Sequence, residues 1–461
     1  MPVHQIKKGL DVPISGAPKQ ELPDAPTPTT RVAIVAGDFV GMKPRMAVIE
    51  GDQVKRGQLL FEDRKAEGVR HTSPGAGTVV AVNRGAKRAF QSIVIELTES
   101  ERAGEPTADD LQTFESYTGT AVADMSGDAV RALLVESGEW TALRARPYSR
   151  VPATASSPKS IFVNCMDTNP LSMDVAVVSA GLDADFQAGL AVVSKLTEGK
   201  VFVCRHPGSS LGGSGGGRVE MHEFSGPHPS GLVGTHIHTL DPVYRAKTVW
   251  HLGWQDVVAW GRLFQSGVVS VDRTIAVSGP TIKDPGLVRT RRGASLDEML
   301  AGRLADGEQR VVSGGVLSGV RAAGDIHGYL GRYHQQVCAL AEGRKREFIG
   351  WLMPGMDKWS TLPAYLSAVF GGGKTYDMTT STNGSPRAMV PIGMYERVFP
   401  LDIMPTFLLR ALLSGDLEKA EELGLLELDE EDVALCTVVC PGKTDYGPIL
   451  RTHLNILEAE G

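Results

Sequence analysis

The sequence predicts a multidomain α/β and β protein: a small β-barrel or sandwich first, then a Rossmann-like α/β layer, a β-grasp unit and a mainly helical C-terminal part. Three observations predict it. Short β-rich runs (RVAIVAG, QLLFED, GTVVAVN, QSIVIEL) follow one another from Val32 to Leu97, separated by Gly, Pro, Asn and Asp. Further on, β-rich runs (KSIFVNCM, VAVVSAG, AVVSKL, KVFVCRH) alternate with segments of helical spacing, the α/β signature. After Tyr333 helical spacing dominates, as in DIMPTFLLRALLSGD.

In chain order, residues 1–31 read as an extended proline-rich leader, 32–99 as the β domain and 100–128 as a polar, acidic linker. Residues 129–260 form the Rossmann-like domain, opening on the helical DAVRALLVESGEWTALRA. Residues 261–330 return to short strands around a helical SLDEMLAG, the order of a β-grasp unit, and 331–461 are the mainly helical domain. There the acidic stretch Asp416 to Asp432 reads as a solvated helix face and CTVVC as a strand.

Composition removes several function classes. A net charge of -7 over 461 residues argues against nucleic acid as a partner, and the short basic run Arg289 to Arg292 reads as a solvated turn. No window approaches the ~18 apolar residues of a membrane span, because Leu171 to Val193 is interrupted by Asp174, Asp183 and Asp185. The N-terminus lacks a secretory pattern, which predicts a cytoplasmic address. Five scattered cysteines fit a reducing compartment, and Cys436 with Cys440 are too few thiolates for an iron-sulfur cluster.

The remaining motifs yield no catalytic, cofactor or metal residue. Gly212 to Gly217 lacks the register of a dinucleotide fingerprint and reads as a flexible loop. AVFGGGKTYD ends like a phosphate loop, but Ala368 stands where its first glycine belongs. His222, His228, His236 and His238 crowd one stretch; His236 and His238 would share a strand face, yet no cysteine lies near to complete a zinc set.

EGDQVKRGQLLFED followed by SPGAGTVVAV resembles the barrel-sandwich hybrid of biotinyl and lipoyl carrier domains. Lys65 lies close to the carrier-lysine position, but the flanks Arg64 and Ala66 are not those of a modified lysine, so a bare scaffold is expected. Across the whole chain, IKKGLDVPI, GDFVGMKPRM, RGAKRAFQS, SGEWTALRARPYSRVPA, CMDTNP, EFSGPHPSGLVGTHIH, KTVWHLGWQDV and CPGKTDYGPILR, in that order, resemble the NqrA family of sodium-translocating NADH:quinone reductases. More distantly the architecture resembles RnfC and the flavin-binding subunit of respiratory complex I.

The resemblance implies a peripheral subunit on the cytoplasmic face of the bacterial inner membrane. It would be docked chiefly on NqrB among NqrB to NqrF, without nucleic acid and without a transmembrane segment of its own. FAD, FMN, riboflavin and iron-sulfur centres would sit on partner subunits, with ubiquinone at this subunit's interface and no cofactor bound by it. Where flavin-binding relatives carry a glycine-rich loop, this chain has Glu139 to Tyr148, whose bulk opposes close approach to a phosphate. Phe224, His228, His236 and His238 are the quinone-proximal candidates, an aromatic wall with a few polar groups. A stand-alone flavin or NADH oxidoreductase and a biotin or lipoyl carrier module are the alternatives.

Overall fold

In a computed structural model, residues 2–344 and 350–460 are described, and they form four sheets. The β domain is a sandwich of two of them. Arg31–Val35, Phe90–Leu97, Gly77–Arg84 and Gln53–Val54 make one antiparallel sheet in that order, and Pro44–Met46, Leu59–Asp63 and Arg70–Thr72 make the other. Alternation along Phe90–Leu97 explains the packing: Ile93 and Ile95 face the interior with Val32, Leu60 and Val79, while Val94 turns the other way toward Tyr329.

The α/β domain carries six strands in the order Val3–Gln5, Val219–Ser225, Val201–Arg205, Ile161–Cys165, Val249–Gly253 and Arg144–Arg146. The first five are parallel and the last is antiparallel. The apolar runs of the central strands are nearly continuous because helices cover both faces. Against one face, helix Asp183–Ser194 packs on helix Trp254–Ser266. Their approach is set by two glycines: a side chain on Gly189 would meet the Val257 carbonyl at 1.9 Å, and one on Gly261 the Asp185 carbonyl at 2.0 Å.

Residues 1–31 are not a free leader. Val3–Gln5 is the edge strand of the α/β sheet, Gly9 N donates to Arg397 O, Ile14 bridges Tyr376 and Thr27 N donates to Arg289 O. An extended chain with few internal partners satisfies its backbone on the edges it crosses. Nor is 100–128 an open linker, for Phe114 is buried in the main core and Glu101 accepts from Arg56 Nε at 2.8 Å and Arg291 Nη2 at 2.8 Å.

The β-grasp sheet runs Gly286–Arg291, Asp272–Ser278, Gln336–Ala341, Gln309–Ser313, Val320–Arg321. Its central strand, Gln336–Ala341, lies past the boundary at 330 that the sequence suggests. A short apolar run has no period by which to tell a buried strand from a helix. The C-terminal core gathers helices Met394–Val398, Pro405–Ser414, Leu417–Glu422, Ala434–Val439 and Tyr446–Glu460. Cys436 therefore lies on a helix, not on the strand expected from CTVVC.

Two charge readings also change. Arg291 and the buried Arg292 are ion-pair partners of Glu101 and Glu139 and not a solvated turn. Asp429 and Asp432 are buried beneath Arg146, whose side chain is fully enclosed: its Nη1 reaches Asp432 Oδ2 at 3.1 Å, and its Nη2 lies 3.5 Å from Asp429 and 3.5 Å from Glu431. Burial alone would lower the Arg146 pKa, but the three carboxylates together hold it above its usual range. Removing a buried ion's partner costs about 3–5 kcal/mol. Arg146→Met should therefore lower the midpoint of the first unfolding transition in urea by an equivalent amount; an unchanged midpoint would mean the C-terminal helices do not depend on this contact.

Candidate functional site

From the strand Ile161–Cys165 the chain steps outward through Val201–Arg205 and Val219–Ser225, then returns to the opposite side as Val249–Gly253. Ile161–Cys165 and Val249–Gly253 are adjacent strands, and the segments that follow them lead to helices packed together on one face of the sheet. A crevice opens at the carboxyl ends of the strands, the place where open parallel sheets receive ligands. Asn164 and Gly253 form its floor, Gly314 and Gly315 of the β-grasp domain one wall, and Arg332 to Gln336 another. It encloses about 140 Å³.

Its electrostatic centre is Asp256, in the first turn of helix Trp254–Ser266, where the helix dipole favours a carboxylate. Asp256 accepts from Arg273 Nη2 and, at 2.8 Å, from Arg332 Nη1, while Arg292 stands 4.0 Å away. Burial opposes the Asp256 charge, but the arginines outweigh it and hold the carboxyl below its usual range. The Arg332 backbone N–H donates to Asp38 Oδ2 at 2.9 Å, which ties in the β domain. Burial, joined by the repulsion of Arg292 and Arg332, brings Arg273 down to about 9.

Tyr333 donates its hydroxyl to Thr141 O at 2.8 Å. Its ring carries the guanidinium of Arg144 at 4.6 Å and that of Arg332 at 5.7 Å from the centroid, a cation–π platform. Four buried side-chain atoms of lining residues have no hydrogen-bond partner among the described residues: His251 Nε2, Arg332 Nη2, Gln335 Oε1 and Gln336 Oε1. These atoms expose almost nothing to solvent, so they lie behind the crevice surface and not on it.

The candidates read from sequence do not assemble into this crevice. Phe224 is fully buried, stacked on His4 at 4.7 Å and against His236 at 4.2 Å, and presents no face to a ligand. His236 lies in helix Val233–Leu240 with Nε2 2.9 Å from Ser230 O. His238, on the same helix, diverges from it, since residues two apart on a helix do not share a face. The strand expected for that pair is thus corrected. His238 instead reaches Glu427 Oε2 at 2.7 Å and accepts from Asp402 N at 2.9 Å, joining the C-terminal domain. His228 is buried against Thr168 Oγ1 at 3.2 Å.

Other motifs take structural places. Lys65 is exposed between Leu59–Asp63 and Arg70–Thr72. In the glycine loop, the carbonyls of Leu211 and Gly213 accept from Arg205 Nη1 at 2.7 and 3.0 Å; oxygens, not N–H groups, thus meet this inward-reaching side chain, contrary to a phosphate cradle. In Glu139 to Tyr148, Trp140 is buried edge-on to Trp250 at 5.3 Å and donates Nε1 to Pro152 O at 2.8 Å, filling space that a glycine loop leaves open. The crevice residues are hidden from a reading of sequence because Arg144, Asp256, Arg273 and Arg332 come from separate segments. The available signals are Arg144, inside SGEWTALRARPYSRVPA, and Asp256, inside KTVWHLGWQDV.

Three family models match consecutive stretches: the NqrA N-terminal barrel-sandwich hybrid domain at residues 4–98, the NqrA second alpha/beta domain at 125–269 and the NQRA C-terminal domain at 274–324. Curated relatives named as the A subunits of Na(+)-translocating NADH-quinone reductase are similar over full length. The protein of Saccharophagus degradans is 52% identical over 99% of this chain and 100% of its own, and that of Hahella chejuensis 53% identical over the same shares. The one from Klebsiella pneumoniae is 51% identical over 99% of this chain and 100% of its own. Among solved structures, an NAD+-reducing NiFe-hydrogenase in the H2-reduced state aligns over 52% of this chain and 53% of that chain at 12% identity, with a TM-score of 0.35.

The buried histidines give a pH dependence. Burial lowers His236 to about 3 and His228 to about 4. Both stay neutral in the fold while the unfolded chain takes up protons below its ordinary value of about 6.5. The stability they allow is therefore complete above pH ~6.5 and is lost as pH falls toward 3, by up to ~1.4 kcal/mol per pH unit and group. His236→Gln should flatten the decline of the melting temperature between pH 6.5 and 4 relative to the parent; parallel curves would show that His236 titrates freely.

Proposed function

The chain belongs to the NqrA family, the A subunits of Na+-translocating NADH-quinone reductases, and from that premise we propose that it is the peripheral subunit that docks on NqrB and serves the quinone-reduction side. It works as part of a complex that couples NADH oxidation and quinone reduction to sodium translocation. It is not an enzyme by itself in this reading. Its place is the cytoplasmic face of the bacterial inner membrane.

One observation carries the docking. Among the described residues no helix is long and apolar enough to cross a membrane, yet the segment from Leu352 to Phe370 holds Leu352, Met353, Val369 and Phe370 between 59% and 73% exposed. Farther along the chain, Ile392, Met404 and Phe407 are also exposed, at 50% or more. Isolated exposed apolar residues need no explanation, but such a concentration in one part of a chain marks a surface covered in an assembly. Just beyond the segment, Tyr376 N donates to Pro13 O at 2.8 Å and ties the chain to the body. An apolar face is also where an apolar quinone would be met.

The cofactors belong to the partner subunits in this proposal. The filled segment Glu139 to Tyr148 and a crevice of about 140 Å³ both oppose a flavin, for ligand pockets ordinarily measure about 300–1,000 Å³. These features also leave the stand-alone flavin enzyme without support. Ubiquinone is expected at the interface with the membrane partner.

Two measurements check this reading. The chain with Val369→Asp and Phe370→Asp should keep the parent's far-UV spectrum and melting temperature. It should bind membranes holding the other subunits at least about tenfold more weakly, the loss of ~1.4 kcal/mol expected at an interface anchor, with reductase activity falling in step. Full retention and activity would remove this face from the interface. Lys65→Ala should leave assembly and turnover at the parent's level, whereas loss of turnover in a folded subunit would reinstate a carrier role.

A further inference from the structure

We propose that the hairpin tip of the β domain, Arg84 to Arg88, is a contact for anionic phospholipid headgroups, an inference that rests on the peripheral membrane placement given above. The charge of the chain is unevenly divided. From Arg31 to Thr98 eleven Lys and Arg stand against seven Asp and Glu, a net of +4, so the rest of a chain of net -7 carries -11. Charges farther apart than a Debye length of about 8 Å are screened at physiological salt, so a membrane senses the nearest side and not the total. Strands Gly77–Arg84 and Phe90–Leu97 form a hairpin that brings Arg84, Lys87 and Arg88 to one exposed tip. Arg84 Nη1 donates to Arg88 O at 3.4 Å, and no carboxylate pairs with any of the three among the described residues. Glu50, the carboxylate that approaches this hairpin, accepts instead from Val82 N at 2.8 Å.

The backbone of the tip runs against local preference. Lys87 and Arg88 have φ of 53° and 59°, and Ala89 N donates to Ala86 O at 3.1 Å, which closes a two-residue turn of the I′ kind. Asn and Gly adopt that turn cheaply, whereas Lys and Arg hold a Cβ at positive φ. Two long cationic side chains kept in a costly conformation, with no anion of this chain to meet, point to a partner outside it. The base beneath them is firm, since the Phe90 ring lies 5.2 Å from that of the buried Phe61. The neighbours Ala86 and Ala89 offer no ring on which a nucleic-acid base could stack, and an exposed turn encloses no single small anion. A field of phosphodiesters asks for no fixed geometry and suits three solvated cations.

The test uses the full-length chain without its partner subunits, and vesicles of phosphatidylcholine with or without phosphatidylglycerol as about a third of the lipid. The parent should sediment with the anionic vesicles and not with the neutral ones, and high salt should release it. Each cation near an anionic surface is worth about fivefold in binding, so Lys87→Asn with Arg88→Gly should weaken it at least about tenfold. Because these are the residues the turn prefers, the same variant should melt no lower than the parent. Lys7→Gln with Lys8→Gln, which removes two exposed lysines of the N-terminal segment, should stay within about twofold of the parent. Val369→Asp with Phe370→Asp should still bind anionic vesicles, which separates lipid contact from docking on the partner subunits. Equal sedimentation with both vesicles, undiminished binding of the hairpin variant, or an equal loss in the Lys7 and Lys8 variant would overturn the proposal. So would a hairpin variant that binds vesicles like the parent but fails on membranes holding the other subunits, which would assign the tip to a protein partner.

Discussion

A carboxylate taken out of water must be met by cations, and in this chain the cations that meet Asp256 of the α/β domain come from the β-grasp domain. Arg273 belongs to the β-grasp sheet, while Arg332 lies in the loop before its central strand and is itself held by Asp38 of the β domain. The same logic recurs at the other junctions. Glu101 draws Arg56 from the β domain and Arg291 from the β-grasp, Glu139 draws Arg292, and Asp429 with Asp432 draws Arg146 from the α/β sheet edge. Such pairs are costly to bury and costlier to break, so they specify register between domains more than they add stability.

The crevice is a by-product of that arrangement. Because the helix carrying Asp256 starts directly after the strand Val249–Gly253, the ion cluster sits at the carboxyl end of the parallel sheet. Arginines recruited to neutralise Asp256 then line the opening there. Fold, junction and polar cavity thus share one set of residues, and an alteration that loosens the domains also reshapes the cavity.

The N-terminal segment shows a second constraint. Its extended residues pair with the α/β sheet edge and touch the C-terminal and β-grasp domains in turn. A proline-rich chain gains little from structure of its own, so its backbone hydrogen bonds are made with neighbours. Covering the edge strand Val219–Ser225 also removes a template for association with other chains.

The sequence by itself determined the kinds of domain and their order. Alternation in Phe90–Leu97 and the continuous runs of Ile161–Cys165 and Val201–Arg205 are local patterns that burial imposes on strands, and they are legible without neighbours. The family phrases were equally local. Tertiary structure alone decided which charges are buried, because Arg292, Asp429 and Asp432 look like solvated residues until the partners that neutralise them arrive from far along the chain. It also turned Phe224 and His236 inward and gathered Arg144, Asp256, Arg332 and Gln336 around one crevice. Spacing along the chain carries no information about contacts made across nearly two hundred residues; these are set by how sheets and helices close on one another.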